Sequence, residues 1–444
     1  MNMGESSYIA AIEIGSSKIS GAVGVETYDG IKIVAYASEP VSGFITKGVV
    51  RNVDETGQCL TSIINRMEAQ MDNIEIQKAY IAFGGLSMKS LKSTVVKDFN
   101  EYTKITQNII DEIASENDIA FVVPDGYQKI QVIPQEYKLN GDTNISPIGI
   151  PTRRIECNFL NIIIKEQYIK QLNESLSIAK IEIAESFNAT RIEADILLSE
   201  DEKRSGCALV NIGSETTTVA LYSNNIMRHI AVIPLGSENI TKDLCSENIT
   251  HQEAEQLKIF KGYASDATDN SALPTELVNE IIGARVSEIL LNVKRRIELS
   301  KENINNIIVT GGGARLKNIA LLLDEHLAGF KLRIVTEFAS NYRSEEGLYH
   351  MKGALTPTLY GLLKMGKQNC CRKEEIVASQ PTPNSLFGDE PEQVKVEEPV
   401  INKPQEPKVT KEQKVIKDKG RKIKDLFFDW LDNAAREEDY DDNE

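Results

Sequence analysis

The sequence predicts an α/β protein built from two similar halves. Strand-like and helix-like patterns alternate over the first 366 residues, as is typical of α/β folds with mixed or parallel sheets. Two segments about 200 residues apart repeat one design, in which a strand, a glycine turn and a returning strand follow one another. Near residue 310 another strand runs into three consecutive glycines. Together these observations predict a ligand site between the two halves.

Hydrophobic periodicity locates the elements of the first half. Residues 1–83 are predicted to form strands and one helix, in the order Tyr8–Ile14, Gly21–Val25, Ile31–Ala37, Glu55–Ala69 (the helix) and Lys78–Phe83. Residues 84–163 form a separate block, with a helix at Gln107–Ser115 and strands at Lys129–Lys138 and Arg154–Ile164. Residues 164–204 return to the first lobe with a helix at Glu166–Ala179 and a strand at Ile181–Ala184.

Residues 205–350 are predicted to form the second lobe, and 237–300 a smaller subdomain within it. Its expected elements are a strand-turn-strand at Cys207–Tyr222, helices at His251–Lys261 and Thr275–Ser300, and a strand at Ile307–Thr310. Residues 351–368 then close the first lobe with a helix.

Composition excludes several functional classes. Among 444 residues, 50 Lys and Arg stand against 66 Asp and Glu, so the net charge is −16 and general nucleic-acid binding is not expected. No run of about 18 apolar residues predicts a transmembrane helix. Glu5 stands where a signal peptide needs a basic residue, so we expect an unexported protein. Six cysteines without a C-x-x-C pair fit a reducing compartment, and Cys370 and Cys371 are expected to be surface thiols.

The two repeated segments are candidate phosphate loops. They read Ala11-Ile-Glu-Ile-Gly-Ser-Ser-Lys and Leu209-Val-Asn-Ile-Gly-Ser-Glu-Thr, so each has a polar side chain, Glu13 or Asn211, two residues before a glycine. Glycine lets the backbone approach a ligand closely. The N–H groups of both turns can then bind phosphate oxygens. The residues concerned are Gly15, Ser16 and Ser17 with Lys18, and Gly213, Ser214 and Thr216. The alternative is a pair of ordinary β-hairpins.

Two further patterns fit the same ligand. The strand Ile307–Thr310 enters Gly311, Gly312 and Gly313 and then a helix, which places the backbone flat against a ligand. Glu255 and Lys258 are three residues apart and share one helix face. Without this context the second pattern would indicate an exposed ion pair.

The two hairpin loops and the strand that enters the glycine run follow one another in a characteristic order and spacing. This arrangement resembles the nucleotide site of the actin–Hsp70–sugar kinase superfamily. Four segments are similar to one branch, the bacterial cell-division family FtsA: Val132–Tyr137 with Asn144–Gly149, Ser199–Gly206 and Glu253–Gly262. The resemblance covers residues 8 to about 366. It implies a two-lobed actin-like fold with ATP between the lobes and residues 84–163 as the special subdomain of the family.

The resemblance also assigns the site. The residues it implies for ATP are Gly15, Ser16, Ser17, Lys18, Gly213, Ser214, Thr216, Glu255, Lys258, Gly311, Gly312 and Gly313. Glu13 stands where the family usually has the Asp that holds the water shell of Mg²⁺, and keeps its charge. Asn211 replaces a second Asp that helps position metal or attacking water. We therefore expect ATP binding with slow hydrolysis at most, and the sequence assigns no general base.

The implied partners are those of the cell-division family. The lobe built from 237–300 is expected to receive the C-terminal peptide of FtsZ, with Arg285, Lys294, Arg295 and Arg296 as steering cations. The alternative is a solvated helix end whose basic residues complement the helix dipole. Head-to-tail filaments through the 84–163 subdomain and contacts with other division proteins are also implied. The rival classes are a small-molecule kinase, which Asn211 argues against, and an Hsp70-like or pilus-assembly scaffold.

The C-terminal region differs from the rest in composition. Six of the fourteen prolines fall in residues 381–407, so 369–420 is predicted to be a disordered linker. Within 421–436 one apolar helical stripe contains Ile423, Leu426, Phe427, Trp430 and Leu431. Too short to span a bilayer, this helix is expected to lie in the anionic cytoplasmic face of the inner membrane, at the division septum. Residues 437–444 form an acidic tail. The alternative is a helix that packs on a partner or on the body.

Overall fold

The computed structural model describes residues 7–144, 146–263, 273–338, 342–344 and 355–373. Its strands, in chain order, are β1 (Tyr8–Ile14), β2 (Lys18–Thr27), β3 (Gly30–Pro40), β4 (Ile45–Thr46), β5 (Val49–Val50), β6 (Ile74–Ile76), β7 (Lys78–Phe83), β8 (Lys89–Lys104), β9 (Tyr127–Leu139), β10 (Asp142–Asn144), β11 (Pro151–Lys165), β12 (Glu182–Asn188), β13 (Cys207–Ile212), β14 (Thr217–Ser223), β15 (Ile226–Ile233), β16 (Asn306–Thr310), β17 (Lys331–Ile334), β18 (Tyr342–Ser344) and β19 (Cys371–Lys373).

The α-helices are α1 (Val53–Glu68), α2 (Gln107–Ala120), α3 (Glu166–Ile178), α4 (Ala189–Leu197), α5 (Glu200–Ser205), α6 (Ser237–Cys245), α7 (His251–Phe260), α8 (Thr275–Ser300), α9 (Ile319–His326) and α10 (Pro357–Met365). A short 3₁₀ helix, Gly313–Arg315, joins β16 to α9. Within the described ranges, every helix is too short or too polar to span a bilayer. The predicted membrane helix at 421–436 and the acidic tail lie outside them.

The first lobe is built on a six-stranded sheet in the order β12-β7-β1-β2-β3-β18. Its centre is the hairpin β1–β2, where Ala10, Ala11 and Ile12 are fully buried. β7 pairs with β1 in parallel, so both strands end at the same edge of the sheet. Helix α1 covers this sheet with its apolar face, and Asn52 caps its start by accepting a hydrogen bond from Glu55 N.

The second lobe repeats the same hairpin. β13 pairs antiparallel with β14 from Cys207↔Tyr222 to Ile212↔Thr217, and β16 lies parallel to β13 on its other side. These strands belong to a nine-stranded sheet in the order β10-β9-β11-β8-β15-β14-β13-β16-β17. The two hairpins therefore present equivalent turns, each at the end of a buried central strand.

The inserted block, residues 84–163, has a core of its own around Ile113, Leu139 and Phe159. Its strands nevertheless continue the second-lobe sheet, because β8 pairs with β15 at Lys89↔Ala231. The buried Arg228 next to this junction donates to Gln135 Oε1 at 3.3 Å and lies 2.5 Å from Glu136 Oε1. The 16-residue strand β8 was missing from the sequence prediction, since its alternating polar face resembles a loop.

Two domain boundaries and the burial of two cysteines differ from prediction. Strand β18, at Tyr342–Ser344, pairs with β3 and so belongs to the first-lobe sheet, although 205–350 was assigned to the second lobe. Residues 369–373 belong to the folded body and not to a linker, because β19 pairs with β6. Cys370 and Cys371 are buried, so the prediction of surface thiols was wrong. Cys370 N donates to Tyr8 O of β1 at 2.7 Å, and Lys78 N of β7 donates to Cys370 O, so both strands hold this segment against the first lobe.

Candidate functional site

A cleft of about 950 Å³ lies where the central strands of both sheets end. Both predicted loops reach it, and so do the glycine run after β16 and the inner face of α7. The predicted residues on its wall are Glu13, Ser17, Lys18, Gly213, Ser214, Glu255, Lys258, Gly311, Gly312 and Gly313. Gly15, Ser16 and Thr216 are not on the wall, because they form the base of the two turns.

The two glycine N–H groups predicted to bind phosphate are used inside the hairpins. Gly15 N donates to Lys18 O at 3.1 Å, and Gly213 N donates to Thr216 O at 2.8 Å. The prediction for these two N–H groups was therefore wrong, because a tight hairpin needs them to close its own turn. Within the described part of the chain, no atom accepts a hydrogen bond from the N–H groups of Ser16, Ser17 or Ser214. Those donors are the ones left for a ligand.

The glycine run gives the cleft a flat backbone wall. Gly311 has φ +90, and a side chain there would collide with Asn211 Oδ1. A Cβ on Gly312 would meet no atom within 4 Å, so its absence leaves open space. Gly313 packs against Ile212, which fixes the start of the 3₁₀ helix beside the second hairpin. A planar or phosphate-bearing ligand can lie directly on this backbone.

Glu255 and Lys258 form a compact network on α7. Lys258 Nζ lies 2.6 Å from Glu255 Oε2 and donates to Thr241 Oγ1 at 2.8 Å. The Thr241 hydroxyl in turn donates to Glu255 Oε2 at 2.7 Å. Lys258 is buried. The pair is thus part of the cleft wall, and the alternative of an exposed surface ion pair is wrong.

Glu13 is a half-buried carboxylate at the end of β1. It accepts a hydrogen bond from the hydroxyl of Thr356, in the segment that leads into α10. Burial raises the pKa of Glu13, while the Thr356 hydrogen bond and the positive charge of Lys18 act to lower it. A carboxylate of this kind favours a cation nearby, because a bound cation offsets the unfavourable burial of its charge.

Sequence reasoning missed a second carboxylate at the cleft, Glu193 on α4, which is buried. Its Oε2 accepts a hydrogen bond from Asn211 Nδ2 at 2.7 Å, and its Oε1 accepts one from Thr310 Oγ1 at 3.4 Å. Burial, with a smaller contribution from the nearby charge of Glu13, raises the pKa of Glu193 to about 7, although the hydrogen bond from Asn211 acts to lower it. An acidic residue among the apolar positions Ile192, Ala194 and Leu197 of a short helix was the available signal.

The two hairpin turns are joined through one segment of the first lobe, the Lys47–Gly48 turn. Glu215 Oε2, in the second hairpin, accepts a hydrogen bond from Lys47 N at 2.6 Å. Ser16 Oγ, in the first hairpin, accepts one from Gly48 N at 2.7 Å. Leu86 N, at the entry to the inserted block, donates to Lys47 O. This turn therefore links both loops and the inserted block.

The four predicted steering cations do not form one cluster. Arg285 makes a bidentate ion pair with Asp243, at 2.7 and 2.9 Å, and a further pair with Glu288. Arg296 lies close enough to His229 that its charge, after burial, lowers the pKa of that imidazole. The long α8 separates Arg285 from Lys294, Arg295 and Arg296 by about three helical turns. Ile423, Leu426, Phe427, Trp430 and Leu431 lie outside the described residues.

Comparison with known proteins identifies the family. The family model described as "Cell division protein FtsA" matches residues 208–347, and "SHS2 domain inserted in FTSA" matches residues 85–163. The cell division protein FtsA of Porphyromonas gingivalis is 29% identical over 333 residues, 70% of this chain and 68% of that protein. The FtsA of Pseudomonas aeruginosa is 24% identical over 414 residues, 88% of this chain and 95% of that one. The chain belongs to the FtsA family.

Membership in the FtsA family confirms the predicted actin-like fold and the identity of the inserted block. The match at 85–163 agrees within one residue with the predicted 84–163. A solved structure titled "PilM-PilN type IV pilus biogenesis complex" shares the fold, with a TM-score of 0.59 and 15% identity over 80% of this chain and 97% of that one. The chain is thus a cell-division protein of the FtsA family.

Proposed function

We propose that this FtsA-family chain binds ATP with Mg²⁺ in the cleft between its two hairpins. The observation that carries the proposal is the convergence of two equivalent turns on one cleft whose floor is bare glycine backbone. Backbone N–H groups of Ser17 and Ser214, together with Lys18, suit the phosphates. Gly311 to Gly313 and the α7 network suit the nucleoside.

Glu13 alone suits the proposed Mg²⁺, because this ion does not need a complete set of protein ligands. No group of three His, Cys, Asp or Glu that could hold a metal occurs among the described residues. A single half-buried carboxylate is consistent with Mg²⁺, which keeps several waters and uses the phosphates of its nucleotide as ligands. Glu13 would orient that water shell, as the longer counterpart of the Asp usual in the family.

Calorimetric titration of the full chain with ATP and Mg²⁺ tests this part of the proposal. We expect one site, with affinity lowered when Mg²⁺ is removed by chelation. Hydrolysis is expected to be slow, because Asn211 lacks the charge of a carboxylate. Failure to bind ATP in the presence of Mg²⁺ would rule the proposal out, and turnover at tens per second would contradict the interpretation of Asn211.

We further propose that the protein polymerises on the inner membrane surface, tethers FtsZ there and helps to assemble the division machinery. Family membership supports this role, and no feature of the cleft favours the kinase or pilus-assembly alternatives. Lys294, Arg295 and Arg296 remain the candidates for steering the FtsZ peptide, whereas the ion pairs of Arg285 argue against its participation. Reversing the charges of Lys294, Arg295 and Arg296 should weaken FtsZ binding, whereas reversing the charge of the exposed Lys317 should not.

Membrane attachment is proposed through residues 421–436. Ile423, Leu426, Phe427, Trp430 and Leu431 form the apolar stripe, and the preceding basic segment favours anionic lipid. Co-sedimentation with anionic vesicles should pellet the full chain and leave the double variant Phe427→Glu/Trp430→Glu in solution. Equal pelleting of both proteins would exclude this helix as the anchor. Electron microscopy of the chain on lipid with ATP should show filaments, whose absence would contradict polymerisation.

A further inference from the structure

The buried carboxyl group of Glu193 contacts Asn211, the residue that stands where the family usually has an aspartate. The family resemblance predicts Asp at the end of β13, where this chain has Asn211. The structure places Glu193 Oε2 2.7 Å from Asn211 Nδ2. The acid missing from the strand end is therefore present beside it, as Glu193 on helix α4.

The surroundings of Glu193 indicate a role beyond packing. Its two bonds come from neutral donors, the Asn211 amide and the Thr310 hydroxyl. In the described part of the chain, no Lys, Arg or His forms an ion pair with it. Glu193 is only 3% exposed, and burying an acid without a cation is unfavourable, so such groups concentrate at functional sites. It also lines the cleft together with Glu13 and both loops.

We propose that Glu193 is the carboxylate that orients and deprotonates the water that attacks bound ATP. Asn211 then acts as a positioning residue, whose amide holds the Glu193 carboxylate at the end of β13. Thr310 holds the other carboxylate oxygen from the end of β16. The inference deepens the proposed ATP-binding function and rests on it.

The chemical step balances with water as the co-reactant. The water oxygen forms a bond to the γ-phosphorus while one of its protons passes to a Glu193 oxygen. The bond between that phosphorus and the bridging oxygen breaks, and ADP leaves with the electron pair. Glu193 then returns the proton to the released phosphate or to solvent, so the carboxylate is regenerated.

A purely structural role for Glu193 makes different predictions. The residue joins α4 to β13 and β16. If its role were only structural, replacing it would affect folding and ATP affinity together. A proton acceptor would affect the hydrolysis step and leave ATP binding nearly unchanged. Glu193→Gln separates the two roles, because its amide oxygen can still accept from Asn211 Nδ2 but cannot take a proton.

The experiment measures ATP affinity by calorimetry and hydrolysis in a single turnover with excess full-length protein, both with Mg²⁺. We expect Glu193→Gln to bind ATP within threefold of the unaltered chain and to hydrolyse it at least 100-fold more slowly. The double variant Glu193→Gln/Asn211→Asp moves the carboxylate back to the strand end and should recover at least tenfold. Glu200→Gln removes the same charge from an exposed position on α5 and should change neither quantity.

Each other outcome contradicts the proposal. Unaltered hydrolysis in Glu193→Gln, or no hydrolysis of bound ATP by the natural chain, would show that Glu193 takes no proton. Loss of ATP binding in Glu193→Gln would assign the residue to binding instead. If Glu193→Gln fails to fold, Glu193→Asp, which keeps the charge one methylene shorter, must retain a measurable rate. Absence of ATP binding by the natural chain would contradict the proposed function itself, and is seen separately by calorimetry.

Discussion

The two hairpins at the cleft share their backbone but differ in their charges. In both, the glycine N–H closes the turn on a carbonyl three residues later, Lys18 O in the first and Thr216 O in the second. The first strand ends in the carboxylate of Glu13, whereas the second ends in the amide of Asn211. A repeated turn can therefore keep its geometry while another element supplies the acid, here Glu193 on α4.

The hairpins also differ in what their hydroxyl and acidic side chains contact. Ser16 turns away from the cleft wall and accepts a hydrogen bond from Gly48 N, whereas Ser214 lies on the wall. Glu215 has no counterpart in the first turn, where Ser17 occupies the equivalent place. Equivalent positions in the two repeats therefore serve different contacts, so a role inferred for one loop does not transfer to the other.

The largest effect should come from adding a side chain to either glycine turn. A Cβ on Gly213 would lie 2.9 Å from Thr216 O, and one on Gly15 would lie 3.0 Å from Lys18 O. Both turns must therefore distort in Gly15→Val and Gly213→Val, and we expect ATP affinity to fall at least 100-fold in each. Gly84→Val adds the same side chain where nothing lies within 4 Å of the new Cβ. An effect confined to one hairpin would show that only that hairpin binds phosphate.

An effect of intermediate size is expected on the free energy of unfolding, through the ionisation of Glu193. The pKa of Glu193 is raised from 4.5 to about 7 in the folded chain. Its contribution to stability is thus fully present below about pH 4.5 and is lost as the pH rises through about 7. Since one pKa unit corresponds to about 1.4 kcal/mol, Glu193→Gln should become more stable than the natural chain by up to about 3 kcal/mol at pH 8.

Urea unfolding of the ligand-free protein at several pH values between 5 and 8 measures this difference. The gap in the free energy of unfolding should widen from pH 5 to 7 and then remain constant. Glu200→Gln serves as the control, because its carboxylate is exposed on α5 and should show no such dependence. A gap that is independent of pH would mean that Glu193 ionises as easily in the folded chain as in the unfolded one.

The smallest effects are expected from replacing Ser16 and Ser214, and the two replacements should change different quantities. Ser16→Ala removes the acceptor of Gly48 N–H and should lower the free energy of unfolding by about 1 kcal/mol, with ATP affinity changed less than twofold. Ser214→Ala should leave stability unchanged and lower ATP affinity roughly threefold to tenfold, because Ser214 lies on the cleft wall. Chemical unfolding and calorimetry measure both quantities, and equal behaviour of the two variants would remove the distinction between the hairpins.

Local patterns in the sequence were sufficient for the fold and for most of the cleft. β1 and β7 were predicted at their observed bounds, since continuous apolar runs ending at glycines are strong signals. The glycine run and the Glu255–Lys258 pair were also predicted to face the ligand. Gly15 N–H and Gly213 N–H were assigned wrongly, because hairpin closure depends on the distance between two strands and not on residue type.

The residues that were missed depend on long-range contacts. Glu193 meets Asn211 only when α4 packs against the end of β13, and no spacing in the sequence indicates this. Likewise, the pairing of β18 with β3 joins segments more than 300 residues apart, so local periodicity assigned it to the wrong lobe. Arg285 was predicted to be a steering cation, but in the folded chain it forms an ion pair with Asp243, which the sequence does not indicate.

The hydrogen bond between Glu215 and Lys47 N bears on how long a ligand stays in the cleft. Any opening that draws the second hairpin away from the Lys47–Gly48 turn must break this 2.6 Å bond. A hydrogen bond to a charged group contributes about 1.5–3 kcal/mol. At about 1.4 kcal/mol per factor of ten, it can lengthen the residence time of a bound nucleotide by roughly tenfold to a hundredfold. The rate of nucleotide exchange would then be limited by breaking the hydrogen bond between Lys47 N and Glu215, and not by how well the nucleotide fits the cleft.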